Sequence, residues 1–380
     1  PHVTIPLMTS VARSPSGRQL VAAANSFIFP EAHGSEPRLI HEAWDYNRHL
    51  AKFSKKIKAG TTYRFSVVAS TCASEQYEDP HNEAERLTIY AALEGYQGLE
   101  GTAFSLSPMG LSGLGYNGHV FWDTEMWMYP PLLMLQPELA RSLLEYRYER
   151  LEMAKQNAFA HGYDGAMYPW ESAADGSEDT PVWALTGPFE HHITGCVAWA
   201  FWKYYQVTKD QQWLSDRGFP VLKEVADYWV SRVELGADEY AENIDDNAFT
   251  NGVAIESLRY AAAAARVLGA RVNPDWEKVA AGIPILQFPD GVTREHASYA
   301  GETIKQADVN LLSYPLQVVR EEGRVRQDLA YYEKVMDPRG PAMGYSVLSV
   351  LYNRLGNTKK ASELFQRGYR PNQVPPFGVI

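Results

Sequence analysis

Tyr63-Arg64-Phe65-Ser66-Val67 alternates apolar and polar residues at period two, whereas Asp79-Pro80-His81-Asn82-Glu83 opens a stretch of helical period. The change between these two stretches decides the fold class. Alternation marks a strand with one covered face, and a Pro close behind a capping Asp or Asn marks a helix start. Upstream of the change, residues 19–29 and 61–70 are rich in Val, Ile, Phe and Thr, with turn residues such as Ala32-His33-Gly34-Ser35 between them. They read as strands of an antiparallel sheet. Downstream, the spacing predicts helices over 83–94, 137–160, 192–205, 219–233, 247–268 and 344–355. Thr358 is expected to cap a further helix over 359–366, with Gly368 just past its end. The expected class is therefore mainly α: a small β region followed by an all-helical domain. The loops between these helices are long and rich in Trp, Glu, Asp, Gly and Pro, and function concentrates in such loops. No repeat at a fixed period is visible, and paired helices in a closed toroid need none.

A chain of 380 residues suggests two domains, or one large domain with an appendage. Hydrophobic residues at 45% and charged residues at 21% exclude a wholly disordered chain. Aromatics are abundant, with 23 Tyr, 14 Phe and 10 Trp, which serves either a large aromatic core or rings that stack on sugar faces. The net charge of −11 and the absence of a basic stripe exclude a nucleic-acid binder. The one basic cluster, residues 52–58, is spaced like a solvated strand or loop. Cys72 and Cys196 have apolar or small neighbours, so two buried thiols are expected in preference to a disulfide or a metal site. No window of 18 apolar residues occurs; the longest apolar stretch, 126–135, is broken by Pro130 and Pro131, so no membrane span is expected. The chain begins at Pro1 with no signal-peptide pattern behind it. Glu94-Gly95-Tyr96-Gln97-Gly98-Leu99-Glu100-Gly101 and Val233-Glu234-Leu235-Gly236-Ala237 pass abruptly from helix to loop, and Phe377-Gly378-Val379-Ile380 ends on an apolar note. These joins suggest further polypeptide beyond the residues given.

The densest chemistry lies in Gly118-His119-Val120-Phe121-Trp122-Asp123-Thr124-Glu125-Met126-Trp127. Trp beside Asp offers an apolar platform and a bidentate acceptor for adjacent hydroxyls; the bland alternative is a buried Trp with a helix-capping Asp. Tyr168-Pro169-Trp170-Glu171-Ser172 repeats the pairing of Trp with a carboxylate. Asp238-Glu239-Tyr240-Ala241-Glu242-Asn243-Ile244-Asp245-Asp246-Asn247 is an acidic loop entering a helix, and its spacing does not match an EF-hand. Lys305-Gln306-Ala307-Asp308 and Tyr331-Tyr332-Glu333 complete the set. No Gly-rich phosphate loop, G-x-S-x-G elbow or H-E-x-x-H occurs. His191 and His192 are adjacent, so on a helix they point about 100° apart and do not readily chelate one ion. Splitting a glycosidic bond needs one protonated carboxyl to donate to the leaving oxygen and one ionised carboxylate to activate water or attack carbon. Acidic loops flanked by Trp supply both types.

Phe121-Trp122-Asp123-Thr124-Glu125, Tyr168-Pro169-Trp170-Glu171-Ser172, Asp238-Glu239-Tyr240 with Asn247-Ala248-Phe249-Thr250-Asn251, and Lys305-Gln306-Ala307-Asp308 together resemble glycoside hydrolase family sixty-five. The order of the four motifs matches over about residues 115–380. The family holds disaccharide phosphorylases acting on maltose, trehalose and kojibiose, and a hydrolase branch that includes kojibiose hydrolases and the collagen glucosyl-galactosyl-hydroxylysine glucosidase. The resemblance implies an (α/α)6 barrel over residues 101–380, incomplete at its end, a partial antiparallel β-sandwich region over 1–75 and a helical linker over 76–100. It implies an inverting mechanism on α-glucosides, with no metal or organic cofactor. Glu239 falls on the general acid, and Trp122, Asp123, Trp170, Glu171, Lys305 and Gln306 fall on positions that hold glucose. Where phosphorylases carry a His- and Ser-rich anion site, this chain has a stretch containing Glu333, which looks like the hydrolase branch and makes Glu333 the expected general base. The expected substrate is a short α-glucoside, kojibiose or a kojibiose-like end, with no nucleic-acid or membrane partner. A disaccharide phosphorylase and a non-catalytic sugar-binding protein are the rival readings.

Overall fold

Ala22, Ala24 and Ser26 are buried while the residues between them are partly exposed, the period of two that gives a strand one covered face. The computed structural model describes residues 7–14, 17–28, 38–45, 48–54, 58–62, 66–94, 105–108, 115–232, 236–238 and 241–372. The chain falls into two units, Pro1–Glu100 and Gly101–Ile380.

In the first unit, β1 (Leu7–Arg13), β2 (Leu20–Ile28) and a third strand, which follows a separate hairpin of β3 (Arg38–Asp45) with β4 (Arg48–Ser54), make the main sheet. That third strand is β5 (Ser66–Ala73), and the order is β1-β2-β5, antiparallel throughout, with Ala22 opposite Val11 on one side and Cys72 on the other. α1 (Pro80–Glu94) lies on the covered face. Ala22, Ala24, Cys72 and Ala84 form the interface, and their small side chains let helix and sheet approach closely. Polar groups at the seam are paired: Thr88 Oγ1 donates to the Ala24 carbonyl at 3.0 Å, and Ser70 Oγ lies 2.6 Å from Thr88 Oγ1. The segment expected as a linker thus supplies the cover of this sheet.

The second unit is helical, and the chain as a whole is mainly helical with a small antiparallel sheet. After a wide helical turn at Thr124–Met128 come α2 (Tyr129–Leu135), α3 (Pro137–Glu149), α4 (Leu151–Ala160), the single turn α5 (Thr186–Phe189) and α6 (His192–Thr208). Next follow α7 (Gln211–Trp213), α8 (Phe219–Ser231), a short hairpin of β6 (Gly236–Asp238) and β7 (Ala241–Ile244), α9 (Ala248–Leu268) and α10 (Pro274–Gly282). The chain closes with the turn α11 (Asp308–Leu311), α12 (Glu322–Val335), α13 (Met343–Arg354) and α14 (Thr358–Tyr369). α6 and α9 are buried almost all round, pack on each other, and form the centre of the core. A Cβ on Gly195 of α6 would stand 2.5 Å from Val253 Cβ of α9, so that crossing requires glycine.

Several boundaries differ from expectation. The helix expected over 137–160 breaks at Arg150, which has φ −101° and ψ 13°. Its guanidinium donates to the Ala174 carbonyl at 2.8 Å and sits 3.9 Å from the centre of the Tyr146 ring, which ties the break to the neighbouring loop. Asn357, not Thr358, caps α14 by accepting from the Lys360 N–H, and the helix continues through Gly368 to Tyr369. The expectation at 63–65, residues 95–101 and 233–235 of the two joins, and the terminal 377–380 lie outside the described residues. Cys72 and Cys196 are buried free thiols, as expected. Among the described residues no helix is long and apolar enough to cross a membrane.

Candidate active site

Two short backbone hydrogen bonds bring the first two motifs together. Val120 N–H donates to the Ser172 carbonyl at 3.1 Å and Ser172 N–H returns a bond to Val120 at 2.9 Å. That antiparallel bridge sets Trp122 beside Trp170, with ring centres 6.4 Å apart. His192, at the start of α6, packs edge-on against both rings at 4.6 Å and 5.4 Å. Phe249, from the first turn of α9, closes the group at 5.6 Å from Trp122, and Trp127 lies 5.3 Å from Trp122.

Asp123 occupies the cap position of the wide turn at 124–128 yet makes no capping hydrogen bond with its side chain. The bland reading of this residue as a helix cap is therefore not met, and the carboxylate is left for another task. Wide turns of this kind recur at functional sites. Burial pushes the Asp123 carboxyl up to about 6, and the neighbouring Glu125 charge adds to it, while Lys305 and His192 oppose the shift. Lys305 thus lies near enough to act on the charge of Asp123. Beneath the turn, Arg147 clamps Glu125 through bonds of 2.7 and 3.1 Å, both side chains being buried, and also donates to the Phe121 carbonyl at 3.2 Å. This pair fixes the backbone that carries Trp122 and Asp123.

Glu171 is buried, and its Oε1 lies 2.7 Å from His119 Nδ1, whose other nitrogen is 3.5 Å from Asp179. The backbone N–H groups of Trp170 and Glu171 both donate to Glu178, which locks this loop. Gln306 is buried with its amide oxygen lacking a protein partner, and it shares a narrow cleft with Trp127, Asp308 and Met343. Trp122, Asp123, Trp170, Lys305 and Gln306 are thus gathered on one region, with Glu171 attached through its loop.

Glu239 lies outside the described residues; β6 and β7 on either side of it pair Asp238 with Ala241. Glu333 is a correction. The expectation placed it in a loop as the general base, whereas it stands in the last turn of α12. Its carboxylate lies 2.6 Å from Lys360 Nζ on α14 and accepts from the Tyr352 hydroxyl on α13. A carboxylate held by two neighbouring helices ties them together, so Glu333 is corrected in its place in the fold, and its contacts favour a structural part over the base role. Glu333→Gln is accordingly expected to leave glycoside cleavage within about threefold and to cost less than about 1 kcal/mol in urea denaturation, since the pair is partly exposed. A collapse of turnover in a folded variant would restore the base role.

His192, Phe249, Trp127 and His119 belong to the group; sequence reasoning quoted them but gave none of them a part in the sugar site. His192 and Phe249 have a signal in retrospect: each opens a helix whose apolar face is continuous with the core. His191 points elsewhere, with Nε2 2.7 Å from the Pro188 carbonyl, and burial pushes its imidazole down to about 3. Among the described residues no group of three or more His, Cys, Asp or Glu side chains is placed to hold a metal.

The region thus joins an aromatic cluster to a carboxylate that caps no helix, on a helical scaffold. Residues 86–300 match the family model described as the glycosyl hydrolase family 65 central catalytic domain, and the chain belongs to that family. It is 50% identical over 433 aligned positions to a kojibiose hydrolase of Mucilaginibacter mallensis, covering 100% of this chain and 64% of that protein. It is 39% identical over 300 positions to a protein-glucosylgalactosylhydroxylysine glucosidase of Dictyostelium discoideum, covering 73% of this chain and 42% of that protein. The chain thus spans less than two thirds of the length of these relatives. A solved structure described as a candidate kojibiose phosphorylase from the human microbiome shares the fold, with a TM-score of 0.68 at 14% identity, over 94% of this chain and 61% of that one.

Proposed function

We propose that the protein is an inverting α-glucosidase that hydrolyses a short α-glucoside, kojibiose or a related glucosyl end, and releases β-glucose. The observation that carries this reading is Asp123, an uncapped carboxylate set in a wide turn beside Trp122 and Trp170. In this reading its helical unit is an (α/α)6 barrel and Glu239 is the general acid. Trp122 and Trp170 wall the glucose, and Asp123, Glu171, Lys305 and Gln306 hold its hydroxyls. Glu239 donates its proton to the leaving glycosidic oxygen as the bond to the anomeric carbon breaks. Water adds to the anomeric carbon from the opposite face and gives up a proton to a general base on that side, so the configuration inverts. The identity to a kojibiose hydrolase supports hydrolysis over phosphorolysis. Incubation with kojibiose, with and without phosphate, tests the reading: an excess of β-glucose over the anomeric ratio of the substrate's own reducing end should appear first by proton NMR, at equal rates in both. Glucose 1-phosphate, or an initial excess of α-glucose over that ratio, would overturn it.

Asp123 gives this reading a pH signature. An ionised carboxylate accepts from hydroxyls and its protonated form accepts less well, so activity should rise as the pH climbs through the Asp123 midpoint. In wild type, kcat/KM should fall on the acid side of about 6. Asp123→Ala should remove that limb and lower kcat/KM by about 1.5–3 kcal/mol equivalent, the loss of a charged hydrogen-bonding partner. A variant with unchanged kcat/KM would return Asp123 to a structural role.

A further inference from the structure

The stretch from Met336 to Gly344 packs against the segment that carries Lys305 and Gln306. Ile304 N–H donates to the Val335 carbonyl at 3.1 Å, and Asp337 N–H donates to the Ile304 carbonyl at 2.8 Å, forming a short parallel bridge. Beyond it the chain turns, with Gly340 N–H donating to the Asp337 carbonyl at 3.0 Å and Arg339 N–H donating to Asp337 Oδ1 at 2.9 Å. That turn lays Gly340 directly on the Lys305 backbone: a Cβ there would stand 2.3 Å from the Lys305 carbonyl oxygen and 3.0 Å from that of Asp337. Gly340 does not adopt a left-handed conformation, so what glycine supplies is space. Backbone atoms cannot swing aside as the end of a side chain can, and a methyl must therefore displace the Lys305 segment. Gly344 repeats the contact more softly, since its Cβ would meet Met336 Sδ at 2.7 Å with Ala307 N at 3.6 Å. The same stretch ends by lining the cleft opposite Gln306 through Met343 and Gly344.

We propose that residues 336–344 are a clamp that positions Lys305 and Gln306, with Gly340 the positioning residue that sets Lys305 against Asp123. The clamp deepens the proposed function and rests on it for any effect on turnover, whereas the placing of Lys305 near Asp123 does not depend on it. The groups that face Asp123 are Glu125 from its own turn, Lys305 from the clamped segment and His192 from the start of α6. Of these, only Lys305 is held by the clamp. Displacing it weakens a cation that keeps Asp123 ionised, so the Asp123 titration midpoint should move upward.

The experiment is a carbon-13 NMR titration of aspartate carboxyl groups in the full chain, with the Asp123 signal assigned by its loss in Asp123→Asn. Lys305→Met should raise the midpoint, and Gly340→Ala should move it part of the way to the same value. Gly282→Ala adds the same methyl where nothing lies within 4 Å and should leave it unchanged. If wild type turns over kojibiose, Gly340→Ala should also lower kcat/KM by about 10-fold and shift its acid limb with the NMR midpoint. A folded Gly340→Ala variant with an unchanged or lowered midpoint overturns the clamp, whatever its thermal stability. If Gly340→Ala does not fold, Gly344→Ala decides by the same measure, with a smaller upward shift expected and no shift overturning the proposal. Failure of wild type to cleave any α-glucoside would overturn the proposed function instead, and the titration would still decide the clamp.

Discussion

Glu239→Gln is expected to lower kcat/KM on kojibiose by about 10²–10⁴-fold, the usual loss when a proton donor is removed from the transition state. The amide keeps the size and the hydrogen-bonding outline of the carboxyl but has no proton to give. The deficit should depend on the leaving group. A sugar alkoxide departs badly without a proton, whereas fluoride departs well, so α-glucosyl fluoride should be cleaved by the variant at close to the wild-type rate. Asp123→Ala removes a binding contact common to both substrates and should depress both alike. The two variants therefore separate proton donation from substrate holding. An equal loss on both substrates in Glu239→Gln would show that the residue does not donate the proton.

The residues that form the site were legible in the sequence as pairs, and their meeting was not. Trp122-Asp123 and Trp170-Glu171 stand out because a large ring next to a carboxylate is an uncommon neighbour in a core. Nothing in the spacing announces the Val120–Ser172 bridge that joins them, because a bridge of one residue has no period to detect. His192 and Phe249 were given no part in the site for the opposite reason, since each opens a long apolar helix and reads as an ordinary member of it. The helix that carries Glu333 was missed for a clear reason. α12 buries Val325, Asp328, Leu329 and Tyr332, a helical spacing in which one core position is an aspartate. Asp328 is tolerated there because Thr293 donates to it twice, through its N–H and its hydroxyl, each at 2.7 Å. That partner lies far away in sequence, so the helix was read as a loop and Glu333 was given a loop residue's task. In the β unit, β2 was legible from its composition, whereas β1, β3 and β4 have mixed polarity and acquire their identity from pairing.

Arg147→Met is expected to destabilise the helical unit by about 3–5 kcal/mol, because it strands the Glu125 carboxylate in the core without its counter-charge. Arg147 is fully buried and Glu125 is 1% exposed, so water cannot replace the lost guanidinium. The Phe121 carbonyl loses a donor at the same time. Both groups belong to the backbone that bears Trp122 and Asp123, so activity should fall with stability. Replacing both partners, as in Glu125→Met with Arg147→Met, should recover much of the loss: apolar side chains of similar length escape the cost of burying charge, and the Phe121 carbonyl keeps its bond from the Thr124 N–H. Urea denaturation followed by tryptophan fluorescence reads this unit, where most of the tryptophans lie. The midpoint should drop steeply in Arg147→Met, with an unchanged slope, and rise again in the double variant. A single variant within about 1 kcal/mol of wild type would mean that the turn holding Asp123 is fixed by its aromatic packing alone. A double variant no better than the single would mean that the ion pair itself, and not the avoidance of a lone charge, holds the turn in place.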